Sequence, residues 1–104
     1  MEKKPFVTKG QLEEITKTYP TPFHLYDEKG IRENARQLKE AFSWNKGYKE
    51  YFAVKATPNP FILNILKEYG CGTDCSSMTE LMMSKACGFS GSDIMFSSND
   101  TPLE

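Results

Sequence analysis

The sequence predicts an α/β fold built from successive strand–helix units on a parallel sheet, and three observations predict it. Tyr51-Phe52-Ala53-Val54 is continuously apolar, as expected of a parallel strand covered on both faces. Two further strand candidates follow it, each separated by a segment with helical periodicity, a capping residue in front and a glycine behind. The last four residues, Thr101-Pro102-Leu103-Glu104, then open another helix with a capping box and a proline at its first position.

Taken in order, Thr8-Lys9-Gly10-Gln11 fits a capping box, with Leu12, Ile15 and Tyr19 at helical spacing behind it. This helix ends before Pro20. Thr21 to Tyr26 reads as extended, with Phe23, Leu25 and Tyr26 as its apolar bulk. Asp27 caps the next helix, whose apolar stripe is Ile31, Ala35, Leu38 and Phe42; Arg32, Glu33, Arg36, Lys39 and Glu40 fill its wet face. Tyr48 to Ala56 is the first strand. Asn59 caps the helix after it, Pro60 takes its first position, Ile62, Ile65, Leu66 and Tyr69 form the buried stripe, and Gly70 ends it. Cys71 to Ser76 is the second strand. Ser77-x-x-Glu80 caps a further helix with Leu81, Met82 and Ala86 as apolar positions and Gly88 as its stop. Asp93 to Ser97 is the third strand. Three units and the start of a fourth helix look like the opening of a larger α/β barrel, which needs roughly 250 residues. The 104-residue chain is therefore expected to be a fragment.

The charge is nearly balanced, 13 basic against 14 acidic residues, and gives no electrostatic reason for a nucleic acid or anionic membrane partner. With 38% hydrophobic and 12% aromatic residues the composition is globular. No apolar run approaches the ~18 residues of a membrane span, and Met1-Glu2-Lys3-Lys4-Pro5 has no apolar stretch behind it. An odd count of three cysteines fits reduced thiols and a cytoplasmic location. Cys71 and Cys75 lack the usual zinc spacing, and the one histidine, His24, is distant in sequence, so no metal site is expected.

Lys55 is the first candidate for chemistry. It stands at the carboxyl end of the apolar strand, where α/β barrels build their active sites. Alternation puts Ala53 and Lys55 on one side and the bulkier Phe52 and Val54 on the other. Shelter at that position favours the neutral amine, the form that attacks a carbonyl to make a Schiff base. The competing reading is a lysine reaching into water from a strand end. Asp74, near the end of the second strand, is close enough to a neighbouring strand's lysine to orient it, since strands lie ~4.8 Å apart. From position alone, the reading of Asp74 as the start of the following loop is the favoured one. Glu80 either points toward the lysine or caps the turn at Ser77, with the cap favoured. Ser76, Ser77, Ser97, Ser98 and Asn99 cluster at strand ends and can line a polar pocket. His24 has no evident partner, and Met78, Met82, Met83 and Met95 read as packing.

These residues carry a family resemblance. Tyr51-Phe52-Ala53-Val54-Lys55-Ala56 resembles the Tyr-x-Ala-Val-Lys-Ala strand of the alanine racemase-like barrels that bind pyridoxal phosphate. Thr73-Asp74-Cys75-Ser76-Ser77-x-Thr79-Glu80-Leu81 resembles the following block of their decarboxylase branch. Thr21-Pro22-Phe23-His24-Leu25-Tyr26-Asp27 is similar to the leading segment of diaminopimelate decarboxylases. Thr57-Pro58 departs from the commoner Asn-rich continuation after the lysine. The resemblance implies a partial (β/α)8 TIM barrel over residues 27–104, truncated after three units, and an N-terminal helix and extended segment over residues 1–26 that packs on a C-terminal β-domain. It implies pyridoxal 5'-phosphate as cofactor, Lys55 as its Schiff-base lysine, and Ala53, Asp74 and Glu80 beside it, with Lys55 and Asp74 catalytic. It implies decarboxylation of a small amino acid, first meso-diaminopimelate to lysine, by a homodimer when full-length, and no activity in the fragment alone. Arginine, ornithine or carboxynorspermidine as substrate, racemisation, a non-catalytic cofactor-binding regulator, and an aldolase-type lysine without cofactor stay open alternatives.

Overall fold

The computed structural model describes residues 4–97. In chain order they form α1 (Lys9–Thr18), α2 (Glu28–Ala41), β1 (Tyr51–Ala53), α3 (Pro60–Glu68), β2 (Gly72–Cys75), α4 (Met78–Ala86) and β3 (Ile94–Phe96). Short 3-10 turns at Val54–Ala56 and Gly91–Asp93 follow β1 and precede β3. The strands lie in the order β1-β2-β3 and all pair in parallel. Ala53 pairs with Asp74 and Asp74 with Met95, so one row crosses the sheet near its carboxyl end. The fourth helix expected at Thr101–Glu104 lies outside the described residues.

Local chemistry sets the element ends. The Thr8 hydroxyl accepts from the Gln11 N–H while the Gln11 side chain accepts from the Thr8 N–H, completing the expected box on α1. Asp27 and Asn59 cap α2 and α3 by accepting from Gly30 and Phe61 N–H groups. Helices α3 and α4 end alike. Cys71 N–H donates to Leu66 O and Gly70 N–H to Lys67 O; Phe89 N–H donates to Ser84 O and Gly88 N–H to Lys85 O. Gly70 and Gly88 have φ of 83° and 91°, the left-handed conformation this ending requires. The same turn thus delivers the chain from each helix toward the next strand.

The first strand is shorter than the expected Tyr48–Ala56. Pairing stops at Ala53, and the chain turns so that Thr57 N–H donates to Val54 O at 3.1 Å. Pro58 and Pro60 have no N–H with which to resume a ladder. Register at the other end is held by Tyr51. Its hydroxyl donates to Ser92 O at 2.7 Å, and its ring lies so close to Gly72 that a Cβ there would approach it to 2.8 Å.

The core consists of Val54, Leu63, Cys75 and Phe89, with Phe52, Leu81, Met83, Cys87 and Ile94 packed against it. Two helix faces differ from expectation. On α3, Leu63 is fully buried beside Ile62 and Ile65, whereas Leu66 and Tyr69 are half-buried. The run Phe61-Ile62-Leu63 is apolar on several sides, so its periodicity did not single out the inward residue. On α4, Leu81, Met83 and Ser84 face inward, while Met82 and Ala86 are exposed. The buried position is a serine, which hides that face from a hydrophobic pattern. Helix α1 buries none of its residues; Leu12 and Tyr19 are exposed, because the described chain offers that stripe nothing to pack on.

Candidate functional site

Ala53, Lys55, Asp74, Ser76 and Ser97 line one cavity of about 210 Å³ at the carboxyl ends of the three strands. Alternation continues through the turn after β1 well enough to keep Ala53 and Lys55 on this cavity, while Val54 enters the core on the other side. Parallel pairing then sets Asp74 beside Ala53. Ser97 is brought in by its N–H, which donates to Cys75 O at 2.8 Å.

Asp74 is half-buried, and its Oδ1 is enclosed without a hydrogen-bond partner among the described residues. A buried carboxylate oxygen without a donor is costly, so this atom has an unmet demand for an N–H or O–H donor. Lys55 is exposed. The sheltered amine expected at a barrel mouth needs walls on several sides, and the ends of three adjacent strands supply only one arc of them.

Glu80 lies apart from this cavity lining. Its carboxylate accepts from the Ser76 N–H at 3.2 Å, the Ser76 hydroxyl at 3.0 Å and the Ser77 hydroxyl at 2.7 Å, while Ser77 Oγ caps α4 by accepting from the Glu80 N–H. The Ser77 hydroxyl, then the Ser76 groups and the Lys55 backbone amide, hold the Glu80 carboxyl below the usual carboxylate range. A lowered value means stability that is present above the unfolded carboxyl's ~4.3 and is lost as pH falls through the folded one. Glu80→Gln is expected to flatten the dependence of stability on pH below ~4.3, measured by urea denaturation across that range; an unchanged slope contradicts the strap.

His24 stacks on Tyr26 with ring centroids 6.2 Å apart. Ser98 and Asn99 lie outside the described residues. The cysteines are free thiols: Cys75 is fully buried, and Cys71 and Cys87 are half-buried. Burial, then the Glu50 carboxylate, pushes the Cys71 thiol up, away from the reactive thiolate. A larger cavity of about 500 Å³, which the sequence did not signal, lies between α2, α3 and β1, with Ile31, Leu38, Phe52, Ile62 and Leu66 on its walls. No described helix is long and apolar enough to cross a membrane.

Parallel strands joined by helices, with Lys55 and Asp74 lining one cavity at the strands' carboxyl ends, define an α/β domain with a polar site at that end of its sheet. The family model described as "Pyridoxal-dependent decarboxylase, pyridoxal binding domain" matches residues 28–104, and the chain belongs to that family. It is 50% identical over 92 residues to protein TabA of Pseudomonas amygdali pv. tabaci, covering 88% of this chain and 22% of the relative. It is 40% identical over 85 residues to the diaminopimelate decarboxylase of Helicobacter pylori strain J99, covering 82% and 21%. The solved Helicobacter pylori diaminopimelate decarboxylase I148L mutant, complexed with L-lysine, superposes with a TM-score of 0.73 at 37% identity, over 84% of this chain and 22% of that one. The chain spans about a fifth of the length of these curated relatives.

The residues present fit pyridoxal phosphate: the Lys55 amine and the Asp74 carboxylate belong to residues that line one cavity, and one Asp74 oxygen has no hydrogen-bond partner among the described residues.

Proposed function

We propose that this chain is the amino-terminal part of a longer pyridoxal-phosphate-dependent decarboxylase that converts meso-diaminopimelate to lysine. The convergence of Lys55 and Asp74 on one cavity carries the reading. The diaminopimelate decarboxylases among its relatives, and the leading segment Thr21–Asp27, support the choice of substrate. In this reading β1, β2 and β3 are the first three strands of an eight-stranded barrel, and residues 1–26 pack on a C-terminal β-domain. The whole protein is a cytoplasmic homodimer.

Each residue has a distinct task. Lys55 Nζ is the amine that would hold the cofactor through its aldehyde carbon. Ala53, the smallest side chain with a Cβ, leaves room beside it. The Asp74 carboxylate accepts a hydrogen bond from a donor brought into the cavity and thereby orients it. The Ser76 and Ser97 hydroxyls give the same wall further polar contacts. Glu80 acts on the surroundings of the cofactor at one remove, by holding the Ser76–Ser77 turn in place. When bound, the cofactor supplies the electron sink that makes loss of carbon dioxide feasible.

The test is lysine formation from meso-diaminopimelate with added pyridoxal phosphate. The whole protein is expected to produce lysine and the 104-residue chain none. Lysine from the short chain contradicts the division of labour. A whole protein that leaves diaminopimelate untouched contradicts the substrate.

A further inference from the structure

We propose that Ser84 is a positioning residue for Asp74, acting from the opposite face of the sheet through Cys75; the inference rests on the reading of Asp74 as part of the cofactor site. Ser84 is the buried residue of α4, fully enclosed, at a position where a helix packing on a sheet ordinarily presents an aliphatic side chain. Its Oγ lies 3.2 Å from Cys75 Sγ, and that thiol lies 3.8 Å from Thr73 Oγ1. All three side chains are fully buried. They form a polar string that ties the outer face of β2 to α4.

Asp74 lies between Thr73 and Cys75 and faces the other way, into the cavity with Lys55. Its Oδ1 has no hydrogen bond among the described residues. That oxygen therefore takes its direction from the backbone, and the residues on either side of it are anchored from behind. Sideways, β1 and β3 hold the strand by ladder pairing at Ala53 and Met95. Toward α4, Glu80 holds Ser76 just past the end of β2, and the string adds directional contacts behind the two residues that flank Asp74. Without it the flanking residues keep their burial and lose the directional contact that sets the strand's depth against α4.

Ser84→Ala removes one hydroxyl from a helix that tolerates alanine, so the fold is retained. In the whole protein with bound pyridoxal phosphate, Ser84→Ala is expected to lower kcat about 3- to 10-fold, the scale of one neutral hydrogen bond. KM is expected to stay within about twofold and the visible circular dichroism of the bound cofactor to weaken. Ser84→Cys, kept reduced, restores a donor to Cys75 and is expected to recover both signals. Ile65→Val, a buried truncation on α3 away from the string, is expected to change neither. Wild-type kcat and dichroism in Ser84→Ala, the same losses in Ile65→Val, or no recovery in Ser84→Cys would overturn the proposal. Lys55→Ala separates the two readings. If it keeps the lysine-linked absorbance, the cofactor site itself is misassigned and this inference falls with it; if it loses the absorbance while Ser84→Ala behaves as wild type, only Ser84 is misassigned.

Discussion

Lys55→Ala in the whole protein is expected to cut decarboxylation by roughly a thousandfold or more, the scale of deleting a covalent catalyst's nucleophile. It is also expected to abolish the absorbance of the lysine-linked cofactor. The reason is chemical, because among the described residues that line the cavity none replaces the amine. Ala53, Asp74, Ser76 and Ser97, which share its cavity, offer a methyl, a carboxylate and two hydroxyls. Lys55→Arg sharpens the test. Arginine keeps the positive charge beside Asp74 but cannot deprotonate to a nucleophilic amine. The same loss is therefore expected in Lys55→Arg. Substantial activity in Lys55→Arg would mean that position 55 acts through charge alone. Among the described residues Lys55 is exposed and lies outside the core cluster of Val54, Leu63, Cys75 and Phe89, so neither variant removes a core contact there; far-ultraviolet circular dichroism of each variant checks that the fold is kept.

Phe89→Ala is expected to destabilise the fold by about 3–5 kcal/mol, measured by urea denaturation of the whole protein. Phe89 is 2% exposed and packs with Val54, Leu63 and Cys75. Its N–H also donates to Ser84 O in the turn that closes α4. The ring thus joins the end of α4 to β2 and to the residue immediately before Lys55. The Lys67 ammonium sits 5.7 Å from the ring centroid, a contact that alanine also loses. Phe89→Leu keeps most of the apolar volume and is expected to cost less than about 1.5 kcal/mol. A loss below about 1 kcal/mol for Phe89→Ala would show that this core does not bear on the turn carrying Lys55.

Sequence patterns revealed the strand–helix alternation because its signals are local. Caps at Thr8, Asp27, Asn59 and Ser77 and glycine stops at Gly70 and Gly88 act within one turn of chain, so composition suffices to place them. The Ala53–Lys55 pairing on one face followed from strand alternation. What was not legible depends on contacts between distant segments. Phe89 reads as a loop residue until the Gly88 turn folds it under Val54 and Leu63. Ser84 looks like surface until Cys75 meets it. The early end of β1 at Ala53 reflects where β2 stops pairing and where Pro58 denies a donor, neither of which an apolar run encodes. Glu80 had two local readings, and its three serine contacts make it a strap for the turn while it lies off the cavity lining. The burial expected around Lys55 requires walls from segments beyond the described strands, which no local pattern supplies.

Borohydride reduction of the whole protein with bound pyridoxal phosphate, followed by peptide mapping, tests the assignment of the amine most directly. The pyridoxyl mass is expected on Lys55, in the peptide containing Tyr51-Phe52-Ala53-Val54-Lys55-Ala56. The same mass on any other lysine, with Lys55 unmodified, would contradict it.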